Sequence, residues 1–328
     1  MKRLADLGER AAIRRISAIL TKGTNSLGIG DDCAAIDLGK DYLLVTTDMM
    51  YQRTHIPAQM TPYQIGWFLV AINLSDIAAK GGTPLGLVLS FGFPKKTSEL
   101  FLKKLVKGAD ACAVAFRTTI VGGDTKESQE IMLCGTAFGT VKKNEFMPRT
   151  GAHPGDVVAV TGTLGKAGAG YYALKRRHLE KKLVKALLEP VPKLKEGRLL
   201  AKQHSVTSSM DVSDGLSASL YQLHEINSVG FEINKNALPL ASELSLLVEK
   251  NRDIDPYSLA MHFGGDYELL VTMSAEAIEK AQKTLGRHGV DLTVIGTVTK
   301  NKNVVVFDGK NKRIFENKGY EHFKKQYF

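Results

Sequence analysis

Asn144-Glu-Phe-Met-Pro-Arg-Thr-Gly-Ala-His-Pro-Gly-Asp156 decides how this chain is divided. It contains four turn formers, Pro148, Gly151, Pro154 and Gly155, and no apolar period, so it reads as a connection between two folded units. The 328 residues, 44% of them hydrophobic, are enough for two cores of ordinary size. The expected units are 1–145 and 146–328. Toward the N-terminus, strand patterns fall at 131–141, 118–121, 85–91 and 42–47. Among them lies a helix over 62–80, with Thr61 as N-cap, Pro62 at its first position and Gly81 past its end. A second helix carries Phe101, Leu105, Ala109, Cys112 and Phe116 at helical spacing. Toward the C-terminus, strands at 156–161, 267–273, 292–298 and 304–307 alternate with helices at 166–177, 217–226 and 275–285, an α/β pattern.

The net charge of +10 comes from scattered lysines, with no basic stripe interleaved with aromatics, so nucleic acid is not the expected partner. The surplus reads as a solvated surface, or as a field that draws in anionic phosphorylated substrates. Cys33, Cys112 and Cys134 form no CxxC pair, which suits a reducing cytoplasm better than disulfides or thiolate zinc. The start, Met1-Lys2-Arg3-Leu4-Ala5, leads into a charged helical pattern without an apolar signal core, and no run approaches a membrane span. A cytoplasmic protein is expected.

Acidic residues recur beside Gly, Ser or Thr: Gly30-Asp31-Asp32, Thr46-Thr47-Asp48, Ser75-Asp76, Gly122-Gly123-Asp124, Asp211-Val212-Ser213-Asp214-Gly215 and Gly264-Gly265-Asp266. Any one of these is ordinary turn or capping chemistry. Six recurrences, most after a predicted strand, point instead to loops that hold phosphates and hard cations. Gly lets the backbone approach a ligand, and hydroxyls add oxygen donors. Asp76 shares a helix face with Ile65, Leu69 and Ile72, so its carboxylate faces the interior. It also lies in the last turn, where the helix dipole disfavours negative charge. A bound cation would offset both costs; a buried Lys or Arg partner is the structural alternative. Clustered carboxylates need neutralising cations, and magnesium is commonly shared between protein carboxylates and substrate phosphates. The set reads as a site for several magnesium ions on a polyphosphate.

Gly162-Thr-Leu-Gly-Lys-Ala167 lacks the spacer and the Ser/Thr of a Walker A loop, and no acid follows at the distance a dinucleotide fingerprint requires. Tight strand-to-helix packing is the better reading of it. Metalloprotease, hydrolase-elbow and protein-kinase motifs do not occur.

The chain resembles the thiamine-monophosphate kinases, within the superfamily that also holds the aminoimidazole ribonucleotide synthetases, selenophosphate synthetases and hydrogenase-maturation dehydratases. The likeness runs from 28 to 323. It is carried by Gly28-Ile-Gly-Asp-Asp-Cys-Ala34, Thr46-Thr-Asp48 with His55, Val70-Ala-Ile-Asn-Leu-Ser-Asp-Ile-Ala-Ala79, Val121-Gly-Gly-Asp-Thr125, Arg149-Thr-Gly-Ala152, Asp211-Val-Ser-Asp-Gly-Leu216 and Gly264-Gly-Asp-Tyr-Glu-Leu269. Lys318-Gly-Tyr-Glu-His-Phe323 favours the kinase branch. The resemblance implies an N-terminal α+β domain whose sheet pairs with that of a second subunit in a homodimer, and a C-terminal α/β domain, with ATP in the cleft between. It implies that Asp32, Thr46, Thr47, Asp48, Asp76, Asp124, Asp211 and Asp214 ligate magnesium, the threonines partly through backbone oxygen. By the same carry-over, Gly123, Asp124, Arg149 and Ser213 contact ATP and His55 touches thiamine phosphate.

Two positions depart from the family pattern. Gly265 stands where a substrate-facing glutamate is usual, and Asn317 stands where a tryptophan is expected. The acceptor end is therefore less well supported than the ATP end, while Asp266 reads as structural and Asp31 as positioning Asp32. The implied reaction passes the ATP γ-phosphoryl group to the phosphate of thiamine monophosphate, with the aspartates serving metals and no separate catalytic base. The alternatives are amide-oxygen activation by another superfamily member and a non-catalytic nucleotide-binding relative. A family-type dehydratase would carry a C-terminal cysteine, whereas this chain ends Gln326-Tyr327-Phe328 with no cysteine after Cys134.

Overall fold

The Pro62–Ala79 helix organises the molecule, and its ends are set locally. In the computed structural model, the Thr61 hydroxyl accepts from the Gln64 amide while the Gln64 side chain takes the Thr61 amide at 3.0 Å, closing a capping box. Past Lys80, Gly81 at φ +67° turns the chain away. Twelve of the helix's eighteen residues are buried, because layers cover it on nearly every side. The Glu99–Ala115 helix crosses it closely: a Cβ on Gly66 would sit 1.9 Å from the Leu105 carbonyl oxygen, and one on Gly108 would sit 1.8 Å from that of Tyr63. The structure describes residues 3–21, 23, 26–27, 29–176, 181–251 and 253–324. Gly28, Arg177 and Gln326-Tyr327-Phe328, each used in the sequence reading, lie outside them.

Among the described residues the first sheet has the order β1-β2-β5-β3-β4, from Ala34–Asp37 (β1), Asp41–Tyr51 (β2), Thr83–Phe93 (β3), Ile120–Glu127 (β4) and Met132–Lys142 (β5). Only β3 and β4 run parallel. The Pro62–Ala79 and Glu99–Ala115 helices cover one face. The other face is open and carries Ile36, Met49 and Met132, each at least a third exposed.

The second sheet has the order β12-β11-β8-β10-β6-β9-β7, from Val157–Thr161 (β6), Val206–Asp211 (β7), Gly230–Asn234 (β8), Leu269–Met273 (β9), Leu292–Thr299 (β10), Val304–Phe307 (β11) and Lys312–Ile314 (β12). Its helices include Lys166–Lys175, Leu194–Ala201, Leu216–Asn227 and Ile278–Gly286. The result is the mixed α+β architecture expected, although most pairings in this sheet are antiparallel. The largest core is shared by both halves: Leu69, Leu74 and Leu133 cluster with Ala159, Leu269, Val271 and Met273.

Two expected loops are strand. The strand expected at 42–47 continues to Tyr51, and that at 118–121 becomes Ile120–Glu127, so Thr46-Thr47-Asp48 and Gly122-Gly123-Asp124 lie inside β2 and β4. At Gly123 the missing side chain serves close approach and not a turn, since a Cβ would sit 1.9 Å from the Leu89 carbonyl oxygen of β3.

Candidate active site

Asp32 follows Gly30 in the loop before β1, Asp76 lies in the last turn of the Pro62–Ala79 helix, and Asp211 ends β7. One carboxylate oxygen of each lies within 4.8 Å of those of the other two. Asp76 accepts from the Thr46 hydroxyl on β2 at 2.5 Å, and Asp211 accepts from Ser75, the helix neighbour of Asp76, also at 2.5 Å. Burial pushes Asp76 well above the ordinary carboxylate value, and the charges of Asp48 and Asp211 push it further. Burial and then Asp32 raise Asp211 to about 7. Asp48, whose backbone N–H donates to buried Asn73 at 3.2 Å, is raised to about 6 by burial. Asp214 is raised to about 6, also by burial.

Asp32 behaves oppositely. Burial works to raise it, yet Arg149 and Lys80 outweigh burial and hold it below its ordinary value. Arg149 Nε donates to Asp32 Oδ1 at 2.9 Å, its Nη1 reaches Gln222 at 3.1 Å, and its backbone N–H reaches Asp31 at 2.9 Å. Lys80 is fully buried, with Nζ 2.5 Å from Asp31 Oδ1, 2.7 Å from Asp32 Oδ2 and 2.7 Å from the Ser209 carbonyl oxygen. The buried cation considered as a partner for Asp76 therefore exists one turn beyond it but pairs with Asp31 and Asp32. Lys80 was missed in the sequence. Its signal was a lysine closing a helix whose preceding turns are almost wholly apolar.

The donor set suits a hard cation: carboxylate oxygens of Asp32, Asp76 and Asp211 face one another, and Asp32 Oδ2 is buried with no hydrogen-bond donor apart from its ion pair with Lys80. Ser213 lies two residues beyond Asp211, and its carbonyl accepts from Gly265 N–H at 2.7 Å. Gly265 adopts φ +98°, a conformation that a glutamate would hold only under strain. Asp266 accepts from the amides of Gly165 and Ala167 at 2.6 and 3.0 Å, so it caps the Lys166–Lys175 helix, the structural role expected of it.

Other expected site residues lie elsewhere. Thr47 alternates with Thr46 and Asp48, so its side chain stands on the open sheet face, donating to the Gly135 carbonyl at 3.0 Å. Asp124 is on the edge strand β4, level with Ser90 of β3 and Cys134 of β5, exposed on that same open face and paired with Lys126 at 3.2 Å. The fold does not bring it to Asp32, Asp76 and Asp211. Gly123 and Asp124 instead line a cavity of about 310 Å³ with Leu89, Phe91 and Val106. His55 Nδ1 accepts from the Tyr51 amide at 3.2 Å, and its ring lies 5.3 Å from that of His322. Burial and then His322 lower its pKa. The C-terminal segment returns to the site, where Tyr320 N–H donates to the Asp214 carbonyl at 3.0 Å; Asn317 is exposed.

Family models match both halves: AIR synthase related protein, N-terminal domain, over 30–141, and the C-terminal domain over 153–309. A thiamine-monophosphate kinase of Methanospirillum hungatei is 36% identical over 294 residues, covering 89% of this chain and 92% of that protein. This chain belongs to the thiamine-monophosphate kinase family. Its relative from Pyrococcus horikoshii is 33% identical over 297 residues, covering 90% of this chain and 91% of that one. A solved structure described as AaThiL complexed with AMPPCP and TMP superposes with a TM-score of 0.86 at 29% identity, covering 98% of this chain and 99% of that one. Among the described residues no helix is long and apolar enough to cross a membrane.

Proposed function

We propose that this chain transfers the γ-phosphoryl group of ATP to thiamine monophosphate, giving thiamine diphosphate and ADP. The observation that carries the reading is the convergence of Asp32, Asp76 and Asp211 within 4.8 Å, in a chain similar along most of its length to enzymes of that name. Magnesium would be held by these three, with Asp48 and Asp214 beside them and the hydroxyls of Thr46 and Ser75 fixing carboxylate orientation. The metal would neutralise charge on the transferring phosphate oxygens. Arg149 presents a second cation, positioned by Asp32 and Gln222. The acceptor phosphate is already ionised near neutral pH, so no protein base is assigned, and the protein's part is to hold donor and acceptor in line. His55, Ser213, Gly265 and Asn317 are assigned to the nucleotide and acceptor ends on the family likeness.

The open apolar face of the first sheet supports a homodimer that pairs these faces. Thr47 and Asp124 stand on that face, so any role for their side chains in metal or phosphate binding belongs to the paired form. A cytoplasmic setting, where ATP is supplied, completes the reading. The test is to incubate the protein with ATP, magnesium and thiamine monophosphate and to look for thiamine diphosphate. Absence of product from protein that binds ATP would overturn it.

A further inference from the structure

Lys80 carries a feature that the phosphoryl-transfer reading leaves unused. Its ammonium donates to Asp31 and to the Ser209 carbonyl and forms an ion pair with Asp32 Oδ2 at 2.7 Å, while the side chain is shut off from solvent. An ammonium enclosed in this way faces protein oxygens and not the solvent side from which a phosphate would arrive. Together with Arg149 it balances Asp31 and Asp32, two cations against two carboxylates. Among the described residues, the hydrogen bonds to the Asp76 and Asp211 carboxylates come from hydroxyls. Yet Asp32 belongs to the same trio, so Lys80 places a permanent positive charge against one wall of the proposed cation site.

We infer that Lys80 is a resident counter-ion that positions Asp32 and limits how tightly a divalent cation binds the trio in the absence of nucleotide. Filling of the site then depends on the negative charge that a polyphosphate brings. The inference rests on the metal reading of Asp32, Asp76 and Asp211. It concerns electrostatics rather than shape, which gives it a distinctive signature. Removing the lysine charge strengthens cation binding, whereas removing the Asp31 charge leaves the lysine less compensated and weakens it. A merely structural role would weaken binding in both cases.

The test uses the full chain stripped of metal with EDTA and titrated with MgCl2 alone, following heat of binding and melting midpoint without nucleotide. Lys80→Met should lower the half-saturating magnesium concentration by roughly tenfold, and Asp31→Asn should raise it by roughly tenfold. Unchanged or weaker binding in Lys80→Met would overturn the inference, as would shifts of the same sign in both variants. Should Lys80→Met fail to fold, Asp31→Asn decides alone, and tighter or unaltered binding there overturns it. Wild-type protein that shows no response to magnesium even with ATP present would remove the metal reading itself, a distinguishable failure.

Discussion

Replacing Asp211 by asparagine should stabilise the metal-free protein at alkaline pH while removing its activity. Asp211 is 2% exposed and has one hydroxyl donor, Ser75. Its carboxyl is held at about 7 against an ordinary 3.8, first by burial and then by the charge of Asp32. The folded protein therefore keeps a proton that the unfolded chain has released. Stability on this account is fully present below the unfolded value, falls as pH rises through the gap, and is lost above about 7. A gap of about three pH units corresponds to ~4 kcal/mol at ~1.4 kcal/mol per unit, an upper bound because Asp32 and Asp48 share the same field. Asparagine keeps the oxygen that accepts from Ser75 and drops the charge. The expected gain at pH 8 is thus ~1–3 kcal/mol, several degrees in melting midpoint for a protein of this size. Calorimetric melts in EDTA at pH 5 and pH 8 should show the advantage only at pH 8. Added magnesium should raise the wild-type midpoint and hardly move that of the variant, and thiamine diphosphate formation by the variant should be lost. A variant no more stable than wild type at pH 8 without metal would refute the premise that this carboxylate is held at the expense of folding.

Three further outcomes follow from the geometry. Asp124→Asn should leave the melting midpoint unchanged, because the side chain is exposed, and should lower magnesium-dependent turnover only through the paired form in which the open sheet faces meet; wild-type kinetics would remove Asp124 from the site. Gly108→Ala should destabilise by ~2–3 kcal/mol in urea unfolding, despite the better helix propensity of alanine, because its Cβ would lie 1.8 Å from the Tyr63 carbonyl oxygen and the two helices would have to part. Asp266→Ala should cost about 1 kcal/mol in denaturant midpoint by uncapping the Lys166–Lys175 helix, with ATP affinity retained; loss of ATP binding would place Asp266 in the site instead.

What could be read in advance was whatever is fixed by near neighbours. Thr61, Pro62 and Gly81 set the ends of the central helix through contacts a few residues long, and helical periodicity placed the Asp76 carboxylate inward. Spacing could not show whether Gly122-Gly123-Asp124 turns or runs straight. Glycine serves both purposes, and here the backbone of β3, some thirty residues away, decides. Lys80 escaped notice for a related reason. A lysine ending a helix is ordinarily a solvated charge near the C-terminal dipole, and only the return of Ser209 and the Asp31-Asp32 loop encloses it. The expectation that Asp124 joins the other aspartates treated all six segments as one kind of loop, whereas strand alternation sends Asp48 and Asp124 to opposite faces of the sheet.

The stretch 144–156 shows how the two halves are held. Its turn formers set the direction of the chain, but it is not slack. The Pro148 carbonyl accepts from Ser209, the Arg149 carbonyl from the Ser208 hydroxyl at 2.7 Å, and Asn227 takes the amides of Gly151 and Ala152 at 2.7 and 3.1 Å. A segment pinned at these points delivers the Arg149 guanidinium to Asp32 with little conformational freedom left to lose. Asp32 and Asp76 come from the first half and Asp211 from the second, already within 4.8 Å of one another. A cation binding there gains affinity from this preorganisation and in turn holds the halves together at that end.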